Sequence, residues 1–199
     1  MSARARLEAR LNRIWYEGEA VPLWADLGER IYRSLLGLRR WAYALGLRRS
    51  TRVSVPVLIV GNLTVGGTGK TPLVAWLANE LRRRGWRPGI VTRGYGAAAH
   101  DARRLPPGAE PAEFGDEPVW LAHATDCPVA IGRRRLAAAR LLIAQDGVDV
   151  LISDDGLQHW SLARDLEVVL IDAQRGFGNG RLLPAGPLRE PQARLARVD

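Results

Sequence analysis

Gly66-Gly67-Thr68-Gly69-Lys70-Thr71 is the stretch of this chain whose residue types and spacing most directly imply chemistry. It follows an apolar run that reads as a buried strand and precedes an apolar-periodic stretch that reads as a helix. Backbone N–H groups of such a turn, with the positive end of the following helix dipole, cradle phosphate oxygens; the Lys reaches the outer phosphates and the Thr hydroxyl binds Mg2+. The loop departs from G-x-x-x-x-G-K-[ST] because Thr64 stands where the first Gly belongs. Pro72 follows Thr71 directly, which is tolerable only in the first turn of a helix, where no N–H is needed. The chain has 28 Arg and one Lys, so Lys70 is its sole lysine.

Acidic residues come next. Val148 to Ile152 reads as a buried strand and runs into Ser153-Asp154-Asp155-Gly156. A carboxylate at the carboxyl end of a parallel strand faces the crevice of the phosphate loop, where it can hold Mg2+ directly or through water. Taken alone, the same residues suit an Asp-Gly turn closing a strand; the loop upstream favours metal and water positioning. Gly115-Asp116-Glu117-Pro118 opens a helix. Asp116 could cap that helix, or take the proton of a hydroxyl attacking a γ-phosphate. Arg93, Arg133 to Arg135 and Arg189 are candidates for neutralising phosphate charge. His159 lies four residues beyond Asp155, whereas His100 and His123 are expected to face solvent.

The elements that must position these groups have a consistent texture. Strands are predicted at Val53 to Val60, Gly89 to Thr92, Pro128 to Ile131, Val148 to Ile152 and Leu166 to Ile171. Helices are predicted at Pro72 to Arg84, Asp116 to Ala124 and Arg133 to Ala144. Strands of near-continuous Val, Ile and Leu are buried on both faces, and intervening helices supply the crossovers of a parallel sheet. The fold class is α/β: a P-loop NTPase-like, doubly wound, mostly parallel sheet with an N-terminal amphipathic helical segment. Two long Gly/Pro-bearing loops, Gly94 to Gly115 and Arg175 to Pro191, are expected to be functional or mobile. A last helical stretch, Gln192 to Arg197, has no strand after it, which suggests an incomplete version of something longer.

Composition narrows the class. The chain has 199 residues, 47% hydrophobic and 25% charged, enough for one domain with a real core. A lone Cys127 makes no internal disulfide, and three His with one Cys leave no structural zinc cluster. No stretch approaches the ~18 apolar residues of a membrane span, and Met1 to Arg13 lacks the apolar core of a signal peptide, so a cytosolic chain is expected. Residues 1 to 52 carry 11 Arg and 5 acids, most of the net +8. Residues 5 to 49 read as helical, broken near Gly18 and Pro22. On a wheel Leu27, Ile31, Leu35, Leu38, Ala42 and Leu45 share one sector, with Arg30, Arg33 and Arg40 roughly opposite. Such a stripe can pack on its own domain. A cationic amphipathic helix that also carries Trp15, Trp24 and Trp41 is equally the composition that settles at a lipid headgroup boundary.

Together these stretches resemble the tetraacyldisaccharide 4'-kinase family of lipid A biosynthesis. The resemblance rests on Val60 to Pro72, Arg93-Gly94-Tyr95-Gly96, Gly115 to Pro118, Ser153 to His159, Arg164-Asp165, Gly176 to Gly180 and Leu183 to Pro191. It implies transfer of the ATP γ-phosphoryl group, with Mg2+, to the 4'-hydroxyl of a tetraacyldisaccharide 1-phosphate. The implied partners are that lipid A precursor and the inner membrane surface, on whose cytosolic face the enzyme sits peripherally; no nucleic acid is expected, and nothing assigns an oligomeric state. Asp116 would be the catalytic base, with Lys70 and Asp155 also catalytic. Gly66, Gly67, Thr68, Gly69, Lys70, Thr71 and Pro72 would bind the cofactor, joined by Arg135, Gln158, Arg189 and Glu190. Thr71, Asp154 and Asp155 would hold the metal. Residues 1–52 form the membrane-associating segment and 53–199 the kinase core. The family also has a second, smaller lobe, whose His partners the base. No candidate for it follows residue 191, so weak MgATP binding and poor lipid phosphorylation are expected of these residues alone.

Two other classes compete. A membrane- or DNA-associated ATPase of the partitioning type shares the Gly-Gly-x-Gly-Lys-Thr core, but carries a second lysine just before the glycines, where this chain has Val65. A nucleic-acid-binding module could use the N-terminal arginines, though the apolar stripe and aromatics fit lipid better.

Overall fold

The computed structural model describes residues 3–94 and 102–199, with side chains from residue 5 onward. Two units divide the chain: residues 1–48, 62–68 and 171–198, and residues 49–61, 69–170 and 199.

In the first unit, α1 (Ala3–Tyr16) and α2 (Leu23–Ala44) are separated near Gly18, which adopts φ +79°, and Pro22, which caps α2 in an extended conformation. Ala, Leu and Arg are strong helix formers, which carries both segments through. The buried residues of α2 are Ala25 and Glu29. Leu27, Ile31, Leu35, Leu38 and Leu45 are each 55–61% exposed. Among the described residues, then, the apolar stripe of α2 does not face a core. What anchors the helix is polar: the buried Glu29 carboxylate accepts from Arg181 and Arg33 at 2.6 Å each, and the Tyr32 hydroxyl donates to the Arg189 carbonyl at 2.8 Å. Residues 171–191 are mostly turns with isolated bridges at Leu182 and Leu188, ordered by directed hydrogen bonds. Trp15 Nε1 donates to the Pro184 carbonyl at 2.9 Å, and Asn179 Nδ2 donates to the carbonyls of Ile14 and Ala185 at 3.3 and 2.8 Å. Residues Gln192–Arg197 form a 3-10 helix.

The second unit holds the sheet. Its elements run β1 (Val57–Asn62, its last residue lying in the first unit), α3 (Lys70–Arg83), β2 (Pro88–Thr92), β3 (Arg103–Arg104), α4 (Pro111–Phe114), α5 (Asp116–Thr125), β4 (Val129–Ile131), α6 (Arg135–Asp146), β5 (Val150–Asp154) and β6 (Leu166–Leu170). The order across the sheet is β3-β4-β2-β5-β1-β6. The pairs β1/β5, β2/β5 and β2/β4 are parallel, with Ile59 opposite Ser153 and Ile90 opposite Ile152. The edge strand β3 runs antiparallel to β4. A core of Val60, Val74, Ala78, Ile90, Phe114, Leu121, Ile131 and Ile152 fills the space between helices and sheet. The mostly parallel, helix-connected sheet predicted from the apolar runs is present.

Boundaries differ for physical reasons. Residues Val53 to Pro56 precede the strand rather than begin it, because Pro56 has no N–H for the ladder; its carbonyl still accepts from Leu151. Helix α3 begins at Lys70, so Pro72 sits within its first turn, where no intrahelical donor is required. Strand β5 continues through Asp154, two residues past the last apolar one, since pairing to β1 extends to Val60 opposite Asp154. The loop predicted from Gly94 to Gly115 contains β3 and the single turn α4, whose Phe114 is buried in the core. Tyr95, Gly96 and His100 lie outside the described residues. His123 is exposed, as expected.

Candidate phosphate and metal site

The ends of β5 and the start of α3 bring four of the predicted residues together in the second unit. Thr71 Oγ1 donates to Asp154 Oδ2 at 3.4 Å, and Lys70 Nζ lies 3.8 Å from Asp155 Oδ1. The loop that delivers Lys70 relies on glycine twice: Gly66 has φ +111° and Gly69, the cap of α3, has φ +77°. These are values that favour a residue without Cβ. Among the described residues, a Cβ at Gly67 or Gly69 would meet no atom within 4 Å. Gly61 allows close approach of the turn after β5; a Cβ there would fall 2.6 Å from Leu157 Cβ.

Asp154 is 2% exposed. Its carboxyl is pushed up to about 6, first by burial, with Glu117 and Asp155 adding repulsion and Lys70 and Arg135 opposing. Its Oδ1 has no hydrogen-bond partner among the described residues. A buried, unpaired carboxylate oxygen costs free energy unless something completes it. A hard dication is the natural complement of such an oxygen donor with a Thr hydroxyl at hand. Mg2+ binds through one or two protein oxygens, which Thr71 and Asp154 can supply, and takes the rest from phosphate and water.

Asp155 follows with φ +48°, a left-handed conformation uncommon outside Gly and Asn. It turns the chain abruptly, so that successive carboxylates leave the strand end in different directions. Arg135, at the first position of α6, is fully buried, and donates to the carbonyls of Gly132 at 2.7 Å and Asp154 at 3.3 Å. Burial lowers its guanidinium to about 10, against the pull of Asp155 and Asp154. Asp116 and Glu117 stand exposed in the first turn of α5, and Glu117 is close enough for its charge to raise Asp154.

Gln158 and His159 lie half-buried in the turn after β5. A residue that the sequence reading gave no role organises this turn. Arg164 donates to the carbonyls of Leu157 at 3.1 Å and His159 at 2.7 Å, and pairs with the buried Glu167 at 2.6 Å. Arg164 belongs to a quoted motif, but among 28 arginines nothing in its spacing marks it.

Arg189 and Glu190 belong to the first unit, as do Gly66 to Thr68. There Arg189 Nη2 donates to the carbonyl of Asn62 at 2.9 Å and also to its side-chain oxygen. The Leu63 carbonyl accepts from the Arg189 N–H at 2.6 Å, and the Pro187 carbonyl accepts from Val65 at 2.8 Å. The segment Pro187 to Glu190 thus braces the entrance of the phosphate loop, and Glu190 is buried there.

Comparison with known proteins identifies the family and the fold. The family model described as tetraacyldisaccharide-1-P 4'-kinase matches residues 27–199. A tetraacyldisaccharide 4'-kinase from Alkalilimnicola ehrlichii is 57% identical over 170 residues, covering 85% of this chain and 51% of that protein. Another, from Herminiimonas arsenicoxydans, is 52% identical over 193 residues, covering 96% and 54%. Among solved structures, LpxK from Aquifex aeolicus in complex with ATP superposes with TM-score 0.77 at 34% identity, covering 86% of this chain and 55% of that one. The chain spans about half the length of the relatives it matches.

Proposed function

This chain belongs to the tetraacyldisaccharide 4'-kinase family, and from that premise we propose that it carries the nucleotide half of a lipid kinase: ATP as phosphoryl donor, the 4'-hydroxyl of a tetraacyldisaccharide 1-phosphate as acceptor. The observation that carries the reading is the convergence of Lys70, Thr71, Asp154 and Asp155 behind a glycine loop. Backbone N–H groups of Gly66 to Gly69 and the dipole of α3 bind phosphate oxygens, and Lys70 reaches the outer ones. Thr71 and Asp154, with Asp155 beside them, would hold Mg2+, which when bound offsets phosphate charge. Asp116 takes the proton of the 4'-hydroxyl as its oxygen bonds to the γ-phosphorus and the bond to the ADP leaving oxygen breaks. Arg135, read from the resemblance as a nucleotide contact, fixes the end of β5; Gln158 is read as a polar contact to the nucleotide, and Arg189 holds Asn62 at the start of the phosphate loop.

A lipid acceptor stays in its bilayer, so the protein must come to the surface. Residues 1–52 are read as the segment that does so, and residues 53–199 as the kinase core. The exposed leucine and tryptophan stripe of α2, flanked by arginines, supports that reading. Among the described residues no helix is long and apolar enough to cross a membrane, and the segment is read as lying on the cytosolic face. The family match does not favour a partitioning ATPase.

The test is phosphate transfer from γ-labelled ATP to tetraacyldisaccharide 1-phosphate in detergent micelles, with MgATP affinity measured in parallel. Label in the lipid that disappears in Asp116→Ala, and MgATP binding that disappears in Lys70→Ala, are the expected results. Binding indifferent to Lys70, or ATP hydrolysis that rises with self-association and labels no lipid, would overturn the reading.

A further inference from the structure

The sequence leaves one electrostatic question open. A phosphate loop with Gly-Gly-x-Gly-Lys-Thr can carry a second cation just before its glycines. This chain has Val65 there, 40% exposed, and only one lysine altogether. Charge developing on a transferring phosphoryl group is stabilised by fixed cations, and a missing one is a substantial loss.

The first unit supplies a cation at that end of the loop from a distant part of the sequence. A Cβ built on Gly66 would lie 4.0 Å from Arg175 Nη1, so the guanidinium rests beside the first glycine of the loop. Its position is built rather than incidental. The Asp172 carboxylate accepts from the N–H groups of Gln174 and Arg175 at 2.9 Å each, and the Asp172 carbonyl accepts from Gly176 at 2.8 Å. This closes the turn from which Arg175 projects. Gly178, with φ +58°, is pressed against α1: a Cβ there would sit 2.6 Å from the Trp15 carbonyl oxygen and 3.1 Å from Tyr16 Cε1. Beneath the guanidinium lies the Tyr16 ring, 5.6 Å from Arg175 Cζ to the ring centroid. An aromatic face restrains a cation without neutralising it; the Asp172 carboxylate also acts on this guanidinium, and the two together hold Arg175, still charged, near Gly66.

We propose that Arg175 is the second cation of the phosphate loop, contacting the terminal phosphate of a nucleoside triphosphate held on Gly66 to Thr71, with Tyr16 as the residue that positions it. The planar fork of an arginine suits bidentate contact with phosphate oxygens better than an ammonium would. The inference rests on the phosphate-loop reading above and names a contact that reading does not include.

The test compares ATP and ADP affinity, by calorimetry in Mg2+ buffer, for the unaltered chain and for Lys70→Ala, Arg175→Ala, Arg175→Lys and Tyr16→Leu. Arg175→Ala is expected to weaken ATP by about tenfold or more while changing ADP by less than about threefold, as for loss of one charge-assisted contact to the terminal phosphate. Arg175→Lys should recover part of the preference for ATP, and Tyr16→Leu should erode it. Arg175 is exposed, so a thermal melt of its variants should match the unaltered chain. An unchanged ratio of ATP to ADP affinity in Arg175→Ala, with ATP binding still dependent on Lys70, overturns the proposal and leaves the loop reading standing. ATP binding that survives Lys70→Ala overturns the loop reading, and the Arg175 contact with it.

Discussion

Thr71 Oγ1 donates to Asp154 Oδ2 at 3.4 Å, while the other oxygen of that carboxylate, Oδ1, is buried with no partner among the described residues. One residue thus joins the first turn of α3 to the end of β5 and keeps one acceptor in reserve.

Because the Asp154 carboxyl is raised to about 6, the folded state holds its proton more tightly than the unfolded chain, whose Asp titrates at about 3.9. Its stability penalty is therefore absent below about pH 4, grows as pH rises through about 6, and is full above that. Asp154→Asn should stabilise the ligand-free protein by about 2 kcal/mol at pH 8 and by almost nothing at pH 4. Urea denaturation at the two pH values checks this. The same substitution should abolish Mg2+-dependent nucleotide binding, which in the unaltered protein should strengthen as pH rises through about 6.

Asp116 stands exposed at the start of α5 and makes no demand on the core. Asp116→Asn should therefore leave MgATP affinity within about twofold and the melting temperature unchanged, while lipid phosphorylation falls by about 10²- to 10⁴-fold, the range of a lost general base. Equal losses in binding and transfer would instead assign Asp116 to nucleotide binding.

Arg164 ties the Leu157 and His159 carbonyls to the buried Glu167. Arg164→Ala removes that buried ion pair and frees the turn carrying Gln158, so a loss of about 3 kcal/mol in unfolding free energy is expected. Glu167→Gln in the same background should restore part of it, which a double-mutant cycle in urea will resolve.

Ile31 and Leu35 are more than half exposed on α2. Ile31→Glu with Leu35→Glu should change unfolding free energy by less than about 1 kcal/mol, since neither side chain is buried. Cosedimentation with anionic phospholipid vesicles should fall by on the order of tenfold or more, because apolar area and charge attraction are lost together. A large drop in stability with vesicle binding intact would mean that the stripe packs on protein rather than lipid.

Local order fixed much of the molecule in the sequence itself. Apolar runs of Val, Ile and Leu separated by helical stretches can bury both faces only as a parallel sheet, so the fold class follows from pattern alone. The phosphate loop is equally local: glycines, Lys70 and Thr71 act as contiguous neighbours between a strand and a helix. The two acids after β5 are legible because a strand end is where polarity must begin. The strand β3 could not be read, since Arg103 and Arg104 have no apolar signature and become a strand only by pairing with β4. The tertiary structure also decided which face of α2 is buried: hydrophobicity alone points its leucines inward, yet Glu29 with Arg181 anchors the opposite side. The same holds for Arg135, Arg164 and Arg175. In a chain with 28 arginines, their residue type carries almost no information. Burial against Asp154, a clamp on Leu157 and His159, and a seat on Tyr16 beside Gly66 arise from segments far apart in sequence, and only the folded chain brings those partners within reach.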